Sequence, residues 1–284
     1  MKKVWFITGA SKGLGLALAK KLIWNDYRVV ATSRNISGLE KAIGETSDNF
    51  LPIEMCITDT ADVSKAIQTA KEYFGQIDVV VNNAGYGVTG ALEELTDEEV
   101  KENFNVNVFG AINVIRSVMP ILRAQGTGHI FNIASVGGFY GNFPGWGVYC
   151  ATKFAVHGFT ESLAAEIKEF GLLATVVSPG YFRTAFLTSG SMTTPNNEME
   201  VYTKVRASQK LHADQINNNQ PGDPEKAADV LIKVAKMENP PLHLFLGEDA
   251  YQLVDTKIET LKKDLKLMKG SADATNFSLN LSKN

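Results

Sequence analysis

Short apolar runs alternate along the chain with longer segments in which apolar residues recur every three or four positions. The short runs predict seven strands, and residues 79–81 are apolar throughout, which is typical of a parallel strand covered on both faces. The longer segments predict helices, as in the four-residue spacing of Leu14, Leu18 and Leu22. This alternation predicts an α/β fold with a doubly wound, mostly parallel seven-stranded sheet and helices on both faces. The predicted strands are residues 4–8, 28–33, 50–57, 79–82, 129–134, 173–178 and 242–246.

Two polar signals mark where helices begin. Thr96 and Glu99 form a capping box that opens a helix predicted to reach about Gln125. Asp223 and Pro224 supply an N-cap and a first-turn proline for a later helix. Neither an internal repeat nor a low-complexity linker divides the chain, so we expect one domain over residues 1–284.

Two segments depart from the alternation. Residues 186–222 show no clear period and are rich in Ser, Thr and Asn, which predicts a lid or a substrate loop. Residues 250–284 predict an amphipathic helix followed by a polar tail from Gly270. The lysines of that helix interleave with Glu259 and Asp264, which favours a solvated face over a surface for an anionic partner.

Composition narrows the class of protein. The 284 residues are 44% hydrophobic and 21% charged with a net charge of −3, which argues against disorder and against general nucleic-acid binding. Cys56 and Cys150 cannot form a disulfide scaffold and suit a reducing compartment. The apolar run after Lys2 and Lys3 is too short for a signal peptide, and we find no stretch of membrane-spanning length. We therefore expect a cytoplasmic protein that binds neither membranes nor nucleic acid.

A glycine-rich segment joins the first predicted strand to the first helix. Gly9, Gly13 and Gly15 allow a tight turn and a close approach to a pyrophosphate, and a helix N-terminus favours that anion. The spacing is GxxxGxG, whereas the common dinucleotide fingerprint is GxGxxG. The segment predicts a Rossmann-type dinucleotide-binding domain, and a ligand-free strand-to-helix turn is the alternative.

The end of the second strand indicates which dinucleotide binds. Chains that bind NAD place Asp or Glu there for the ribose hydroxyls, whereas this chain has Thr32, Ser33 and Arg34. Arg34 suits a 2′-phosphate, and Lys12 adds a second cation. These residues predict NADP(H) in preference to NAD(H), with two ordinary surface cations as the alternative.

Tyr149 and Lys153 are four residues apart, which places them on one face of a helix. A free phenol has a pKa of about 10, and a nearby ammonium together with an oxidised nicotinamide would lower it. Tyr149 is then an acid/base for an alcohol or a carbonyl, and Ser135 can hold the substrate oxygen. A chance match to this short spacing is the alternative.

Four separated motifs occur in one order and together resemble the short-chain dehydrogenase/reductase family. The resemblance covers about residues 3–185, and the remainder is similar to the subgroup that contains 17β-hydroxysteroid and retinol dehydrogenases. Pro179, Gly180 and Thr184 match a further family motif after the sixth strand. The four motifs are the glycine-rich segment from Thr8 to Gly15, the Asn-Asn-Ala-Gly at 82–85, the Asn-Ile-Ala-Ser that ends at Ser135, and Tyr149 with Lys153.

The resemblance implies a role for each matched residue. Tyr149 would be the acid/base, and Lys153 would bind the nicotinamide ribose while lowering the Tyr149 pKa. Ser135 would orient an alcohol or carbonyl substrate, and Asn107 would hold a water that links Lys153 to solvent. Hydride transfer would need no metal. The implied cofactor-binding residues are Gly9, Ser11, Lys12, Gly13, Leu14, Gly15, Arg34, Ile57, Asn83, Ala84, Gly85, Tyr149, Lys153, Pro179, Gly180 and Thr184.

One position differs from the family pattern, and one role has two candidate residues. Cys56 stands where many members have an Asp for the adenine, so we expect the Ile57 backbone to make that contact. Asn105 competes with Asn107 for the role in the central helix. The family often forms homodimers or homotetramers through helices that match residues 97–125 and 149–170.

The substrate side has fewer signals. Aromatic residues surround the two loops expected beside the nicotinamide, which predicts a steroid-, retinoid- or lipid-like substrate. The four histidines are scattered without ligand spacing, so no metal site is expected. A non-catalytic protein that senses the cofactor is the alternative function, since one fold serves many functions. The aromatic residues are Phe139, Tyr140, Phe143, Trp146, Tyr181, Phe182 and Phe186.

Overall fold

The computed structural model describes residues 2–188 and 191–277. Seven strands form one sheet, and the short strands β5 and β8 pair with each other outside it. The strands are β1 Val4–Ile7, β2 Arg28–Ser33, β3 Phe50–Glu54, β4 Val79–Asn82, β5 Gly87–Val88, β6 Gly128–Ile133, β7 Leu172–Pro179, β8 Met192–Thr193 and β9 His243–Leu246.

The helices alternate with these strands. Two π-helical turns, Asn105–Phe109 and His212–Ile216, follow directly on helices. The helices are α1 Gly13–Trp24, α2 Ile36–Ile43, α3 Thr60–Phe74, α4 Asp97–Phe104, α5 Gly110–Gln125, α6 Gly147–Ile167, α7 Thr203–Leu211, α8 Pro224–Val234 and α9 Glu248–Asp273.

The large sheet is parallel throughout, in the order β3-β2-β1-β4-β6-β7-β9. The strand order reverses between β1 and β4, and ligands of such sheets bind at the carboxyl ends of the strands beside that reversal. The doubly wound parallel sheet predicted from the sequence is therefore confirmed.

Two buried clusters cover the two faces of the sheet. Successive side chains of a strand point to opposite faces, and accordingly Trp5 and Ile7 pack with α1 and α8 while Phe6 packs with α3, α5 and α6. Leu18 and Leu231 are representative of the first cluster, since both are buried against the sheet. Residues 79–81 of β4 are all apolar because both faces of the sheet are covered there.

The predicted strand positions are confirmed to within a few residues, and the two capping predictions are confirmed in detail. Thr96 and Glu99 make both hydrogen bonds of the capping box, and the Asp223 side chain accepts from the Glu225 amide. The third strand ends at Glu54 and not at residue 57. The helix predicted from 97 to 125 is interrupted by the π-helical turn Asn105–Phe109.

Among the described residues, one helical stretch, Asp97–Gln125, has the length and hydropathy needed to cross a membrane. The expectation that no such stretch exists is therefore wrong. Val114, Val118 and Leu122 of this stretch are fully buried in the core, and core helices satisfy the same criteria.

The segment 186–222 is more regular than its sequence predicts. It contains β8, α7 and a π-helical turn, although Ser189 and Gly190 lie outside the described residues. The C-terminal helix is confirmed, but it runs through Gly270 to Asp273, so the polar tail does not begin at Gly270. The rest of the predicted tail, from residue 278 onward, also lies outside the described residues. The single domain over residues 1–284 stays a prediction.

Candidate active site

A cavity of about 1030 Å³ lies at the carboxyl ends of the parallel strands. Its walls come from the glycine-rich loop after β1 and from the loops after β2, β3, β4, β6 and β7. Tyr149 near the start of α6 and His212 after α7 line the same cavity. One cavity thus joins the predicted cofactor loop to the predicted reacting group.

The conformation of the glycine-rich loop depends on positions that have no side chain. Gly9 has a φ of +64°, and a Cβ at Gly9 would lie 2.8 Å from the Ala84 Cα. The Asn83 side chain donates to the carbonyl oxygens of Thr8 at 2.9 Å and Gly9 at 3.0 Å. The loops after β1 and β4 are therefore fixed to each other at backbone distance, which is the close approach that a pyrophosphate cradle needs.

Nearly all predicted cofactor residues line the cavity. Gly15 does not, because it is buried against the Asn83 amide, where a Cβ would lie 2.5 Å from Nδ2. Its role is in the packing of the loop. The lining residues among those predicted are Gly9, Ser11, Lys12, Gly13, Leu14, Arg34, Ile57, Asn83, Ala84, Gly85, Tyr149, Lys153, Pro179, Gly180 and Thr184.

Two cations face the cavity near the end of β2. Burial and the nearby charge of Arg34 both lower the pKa of Lys12. Arg34 is exposed, and among residues 2–188 and 191–277 it is in no salt bridge. Glu102 is the one acidic residue among the described residues of the lining. Two like charges close together favour an anion beside them.

The loop after β3 contains Cys56, which stands where many members of the resembled family have an Asp. Cys56 is exposed, lines the cavity and lies 3.3 Å from the Thr58 hydroxyl. The Ile57 carbonyl accepts a hydrogen bond from the Asn113 side chain at 3.2 Å. The backbone at 56–58 is therefore held in place at the wall where an adenine contact is expected.

Tyr149 is buried in the first turn of α6, among aromatic rings. Trp146 and Phe186 lie 5.6 and 5.7 Å away between ring centroids. Burial raises the pKa of the phenol above its ordinary value, and a hydrogen bond with Ser135 lowers it in part. Ser135 follows β6, and its Oγ accepts from the Gly137 amide at 3.1 Å. The structure thus brings the predicted phenol and serine hydroxyls together.

Lys153 lies one helical turn after Tyr149, and its Nζ is 5.8 Å from the centre of the phenol ring. Nζ donates to the Ile133 carbonyl at 2.9 Å, and burial lowers the Lys153 pKa to about 8. In the protein alone burial outweighs the Ser135 hydrogen bond, so the lowering of the Tyr149 pKa by Lys153 and an oxidised nicotinamide stays a prediction.

Asn107 lies within the π-helical turn, behind the cavity wall rather than on it. Its side chain accepts from the Tyr86 amide and donates to the Tyr86 carbonyl and the Thr152 hydroxyl, all within 3.1 Å. Asn103, which the sequence analysis missed, donates to the same Tyr86 carbonyl. Asn105 is exposed, which excludes it from this network. Wide helical turns of this kind are frequent at functional sites.

The family model for short chain dehydrogenases matches residues 3–194, which is more than half of the chain. The chain belongs to the short-chain dehydrogenase family. The resemblance drawn from four sequence motifs is thereby confirmed, and the protein is an oxidoreductase of that family.

Curated members of the short-chain dehydrogenase family align over most of this chain. Oxidoreductase BOA17 of Botryotinia fuckeliana is 37% identical over 92% of this chain and 94% of its own length. A 3-ketodihydrosphingosine reductase of Bacteroides thetaiotaomicron is 33% identical over 86% and 88%. Human 17-beta-hydroxysteroid dehydrogenase type 1 is 30% identical over 91% and 81%.

Solved structures of the family agree with the fold. A short-chain dehydrogenase from Streptomyces avermitilis matches with a TM-score of 0.89 and 32% identity, covering 98% of this chain and all of its own. A 3-ketoacyl-(acyl-carrier-protein) reductase from Brucella melitensis, complexed with NADH, has a TM-score of 0.71 at 27% identity, with 86% and 96% covered. ElxO with NADP bound has a TM-score of 0.70 at the same identity and coverage. Both nicotinamide nucleotides thus occur among similar structures.

The substrate side of this short-chain dehydrogenase is aromatic, as its sequence predicts. Phe139 and Tyr140 do not line the cavity, because Phe139 packs on Phe245 and Tyr140 packs on Phe143. The other five predicted aromatic residues, Phe143, Trp146, Tyr181, Phe182 and Phe186, line it.

Two polar residues in the substrate part of the cavity escaped the sequence analysis. His212 is buried, and its Nε2 lies 2.9 Å from the Tyr181 hydroxyl. The Gln220 side chain is also buried, and neither of its amide atoms has a hydrogen-bond partner in the described part of the chain. The sequence gives no local signal for the contact between Tyr181 and His212, because these two residues are 31 positions apart.

A buried ion pair fastens helix α7, in the predicted lid, to the body of the protein. The Glu94 carboxylate has no exposed surface, and both of its oxygens lie 2.7 Å from Nη2 of Arg206 in α7. Burial raises the pKa of Glu94, but hydrogen bonds from the Met199 and Ala91 amides and the charge of Arg206 together hold it below its ordinary value. The Glu94 carboxylate thus binds both Met199 and Arg206 of segment 194–211.

The histidines are less scattered in space than in sequence. His157 and His243 stack at 5.9 Å between ring centroids, and Glu161 lies beside them. Potential ligand atoms of these three residues lie within 4.8 Å of one another. Spacing along the chain gave no sign of this group, because it joins α6 to the start of β9.

Proposed function

We propose that this chain transfers a hydride between NADP(H) and an apolar alcohol or carbonyl substrate, with Tyr149 as the acid/base. The observation that carries the proposal is the cavity in which the phenol of Tyr149 hydrogen-bonds with Ser135 and which continues to the Lys12 and Arg34 cations. A protein that only senses the cofactor would need the end of the cavity at Lys12 and Arg34, but it would not need the hydrogen-bonded Tyr149 and Ser135.

The residues present fit the dinucleotide. The Gly9 backbone reaches the neighbouring loop at a distance that no side chain permits, which leaves room for a pyrophosphate beside the start of α1. Arg34 and Lys12 would hold the 2′-phosphate of NADP(H), and Lys153 would hold the nicotinamide ribose. When bound, the nicotinamide supplies or accepts the hydride.

Side chains of this protein donate and accept the proton in the proposed reaction. Because burial keeps the Tyr149 phenol protonated near neutral pH, it is suited to donate a proton to the substrate oxygen during carbonyl reduction. Ser135 donates a second hydrogen bond to that oxygen and stabilises its developing charge. In the opposite direction the phenol must first lose its proton, so we expect alcohol oxidation to accelerate as pH rises.

Lys153 and Asn107 support Tyr149 in this scheme. Below its pKa of about 8, Lys153 carries a positive charge that favours the phenolate form of Tyr149. Asn107 holds the backbone at Tyr86 behind Lys153, and we propose that the water it binds returns the proton from solvent.

An apolar substrate suits the aromatic lining. Trp146 and Phe186 pack around Tyr149, so a flat or elongated hydrocarbon skeleton would bury its surface there. Two relatives carry the names of a sphingoid-base ketone reductase and a hydroxysteroid dehydrogenase, which agrees with this substrate class. Segment 186–222 would close over the substrate as a lid.

Replacing Tyr149 by Phe removes only the hydroxyl and keeps the buried ring. We expect kcat for NADPH-dependent ketone reduction to fall about 1000-fold, since the proton donor is lost. The dissociation constant for NADPH should stay within about twofold, because binding does not use the phenol proton. A panel of steroid, retinoid, long-chain and aromatic carbonyls, followed by NADPH absorbance and fluorescence, provides both measurements.

Tyr140→Phe is the matched control, since Tyr140 does not line the cavity, and it should retain full activity. A Tyr149→Phe enzyme that keeps more than about a tenth of kcat would exclude Tyr149 as the proton donor. Tight NADPH binding by the unmodified protein without turnover of any carbonyl would favour the sensor.

A further inference from the structure

The C-terminal helix α9 leaves the body of the protein and exposes an apolar face. Only Ala250 of this helix is buried, and every residue from Ile258 to its end at Asp273 is exposed. Leu265 exposes 71% of its surface and Met268 exposes 54%. Large apolar side chains exposed together on one element indicate a surface that binds another molecule.

The exposed face has the spacing of a coiled coil. Six apolar residues follow one another at alternating intervals of three and four, which is the heptad pattern of the a and d positions. Tyr251, Ile258 and Leu265 take position a, and Val254, Leu261 and Met268 take position d. Leu267 is apolar and exposed as well, but it lies outside this stripe. We call these six residues the α9 stripe.

The charges beside the α9 stripe indicate its partner. In an antiparallel pair of two α9 helices, a of one copy meets d of the other, as Tyr251 with Met268 and Ile258 with Leu261. In the same register the flanking e and g positions meet their counterparts. Every charged pair is then opposite in sign: Glu248 with Lys269, Asp255 with Lys262, and Lys257 with Asp264.

A parallel pair fits less well. There, position g of one helix faces position e of the next heptad in the other helix, which sets Lys257 against Lys262 twice and Asp264 against Lys269 twice. The parallel pair therefore mixes like and opposite charges, whereas every charged pair of the antiparallel arrangement is opposite. Like charges at these positions oppose pairing. The sequence of α9 therefore complements a second copy of itself in the antiparallel direction.

We infer that α9 pairs with α9 of a second copy of this chain as an antiparallel two-stranded coiled coil. This contact is separate from the central helices that the family resemblance implied, and it does not depend on the proposed reaction. The helix is about 39 Å long at 1.5 Å per residue, so the two protein bodies lie at opposite ends of the pair.

The first test is the mass of the protein in solution, measured by sedimentation velocity at several concentrations. The double variant Leu261→Glu/Leu265→Glu should weaken one association step about 1000-fold, because four leucines leave the interface. Leu267→Glu is the control, since it adds a negative charge to the same helix outside the α9 stripe, and its mass should equal that of the unmodified protein. NADPH binding by each variant shows that the fold is intact and keeps this result separate from catalysis.

A charge exchange tests the direction of pairing. Lys257→Glu should weaken association, because it faces Asp264 of the other copy, and the added Asp264→Lys should restore it. A spin label at Ser271 in a Cys56→Ser background should give a separation of about 35 Å between copies if the helices are antiparallel. A separation below about 20 Å would show a parallel pair and overturn the proposed register.

Two results would overturn the proposal. One is an unchanged mass of the stripe variant at every concentration. The other is a monomeric chain that binds vesicles of phosphatidylserine through α9, which would identify a membrane surface as the occupant of this face.

Discussion

The two walls of the cavity are built in different ways. On the cofactor side, the loops after β1 and β4 approach each other at backbone distance, and the Asn83 side chain donates to the Gly9 carbonyl from 74 positions away. On the substrate side, the lid is attached by side chains that are distant in sequence, above all Glu94 and Arg206. The cofactor wall therefore depends on positions without side chains, whereas the substrate wall depends on the ion pair between Glu94 and Arg206.

This difference has consequences for stability and adaptation. At Gly9 and Gly15 the glycine-rich loop tolerates almost no substitution, because an added Cβ would collide with the loop after β4. A lid that depends on an ion pair and a few aromatic contacts can change its residues while the cradle stays the same, as is usual for loops on a rigid scaffold. We expect changes in the two walls to affect different measurements.

The largest effect is expected for Gly9→Ala. The new Cβ would lie 2.8 Å from the Ala84 Cα at a φ of +64°, so either the loop moves or the backbone strains. We expect NADPH affinity to fall by about 100-fold or more, since the cradle loses its shape. Isothermal titration calorimetry measures the affinity directly.

Gly126→Ala is the control for backbone strain, because its φ is +68° and nothing lies within 4 Å of the added Cβ. It should reduce the free energy of unfolding by about 1 kcal/mol and leave NADPH affinity unchanged. Equal affinities in the two variants would show that close approach at Gly9 is irrelevant to the cofactor.

Glu94→Gln addresses the other wall. The substitution removes the carboxylate charge from Arg206 and leaves that guanidinium with only Glu198. Breaking a buried ion pair on one side commonly lowers stability by about 3 kcal/mol. Much of that loss should be local to the lid, so KM for the carbonyl substrate should rise while NADPH affinity is kept.

Glu54→Gln is the control, since Glu54 is exposed at the end of β3 and its side chain bonds no residue of segment 194–211 in the described part of the chain. Hydrogen exchange of residues 194–211 reports the lid directly. Unchanged protection in Glu94→Gln would contradict the anchoring role of the ion pair.

Arg34→Glu sharpens the comparison within the cofactor wall. The reversal places a negative charge where a 2′-phosphate is proposed to bind, so NADPH affinity should fall about 30-fold. NADH lacks that phosphate, and its affinity should change little. Lys20→Glu makes the same charge change on the exposed side of α1 and should affect neither nucleotide. Equal losses for both nucleotides with Arg34→Glu would refute NADP(H) as the preferred cofactor.

The smallest effect concerns acid stability beneath the cavity. His129 in β6 is buried, which lowers its pKa to about 3, and its Nε2 lies 2.9 Å from the Thr175 hydroxyl. Below pH 6.5 the unfolded chain takes up a proton at this position that the folded chain does not bind. The free energy of unfolding should therefore fall as pH decreases, by about 1–2 kcal/mol at pH 5 from this residue.

His129→Asn should remove that part of the acid dependence, as measured by urea denaturation at pH 7.5 and pH 5. An identical pH dependence in His129→Asn and the unmodified protein would disprove the buried neutral state of His129.

The cofactor wall could be predicted from the sequence because its signals are local. Glycines mark positions where side chains have no room, and both-face burial makes strands such as Val79–Asn82 continuously apolar. Ser135, Tyr149 and Lys153, which the sequence also singles out, all line the cavity. The net direction of the Tyr149 pKa shift could not be predicted, because it depends on how much surrounding protein excludes water.

The substrate wall could not be predicted in the same way. Helix α7 buries only Val205, so it lacks the apolar stripe that identifies a helix in a sequence. It is held by Arg206 and Glu94, which are 112 positions apart. Nor does local spacing reveal that Tyr181 meets His212, since only the folded chain places both beside the cavity.

The root of α9 carries one more consequence. Asp249, in its first turn, accepts a hydrogen bond from the Tyr181 amide at 2.7 Å and packs against Gly180. The long exposed helix therefore begins at a hydrogen bond to the loop beside the proposed nicotinamide position. Any tilt of α9 moves the Asp249 carboxylate that accepts from Tyr181, so a force on the exposed part of the helix is transmitted to this wall of the cavity.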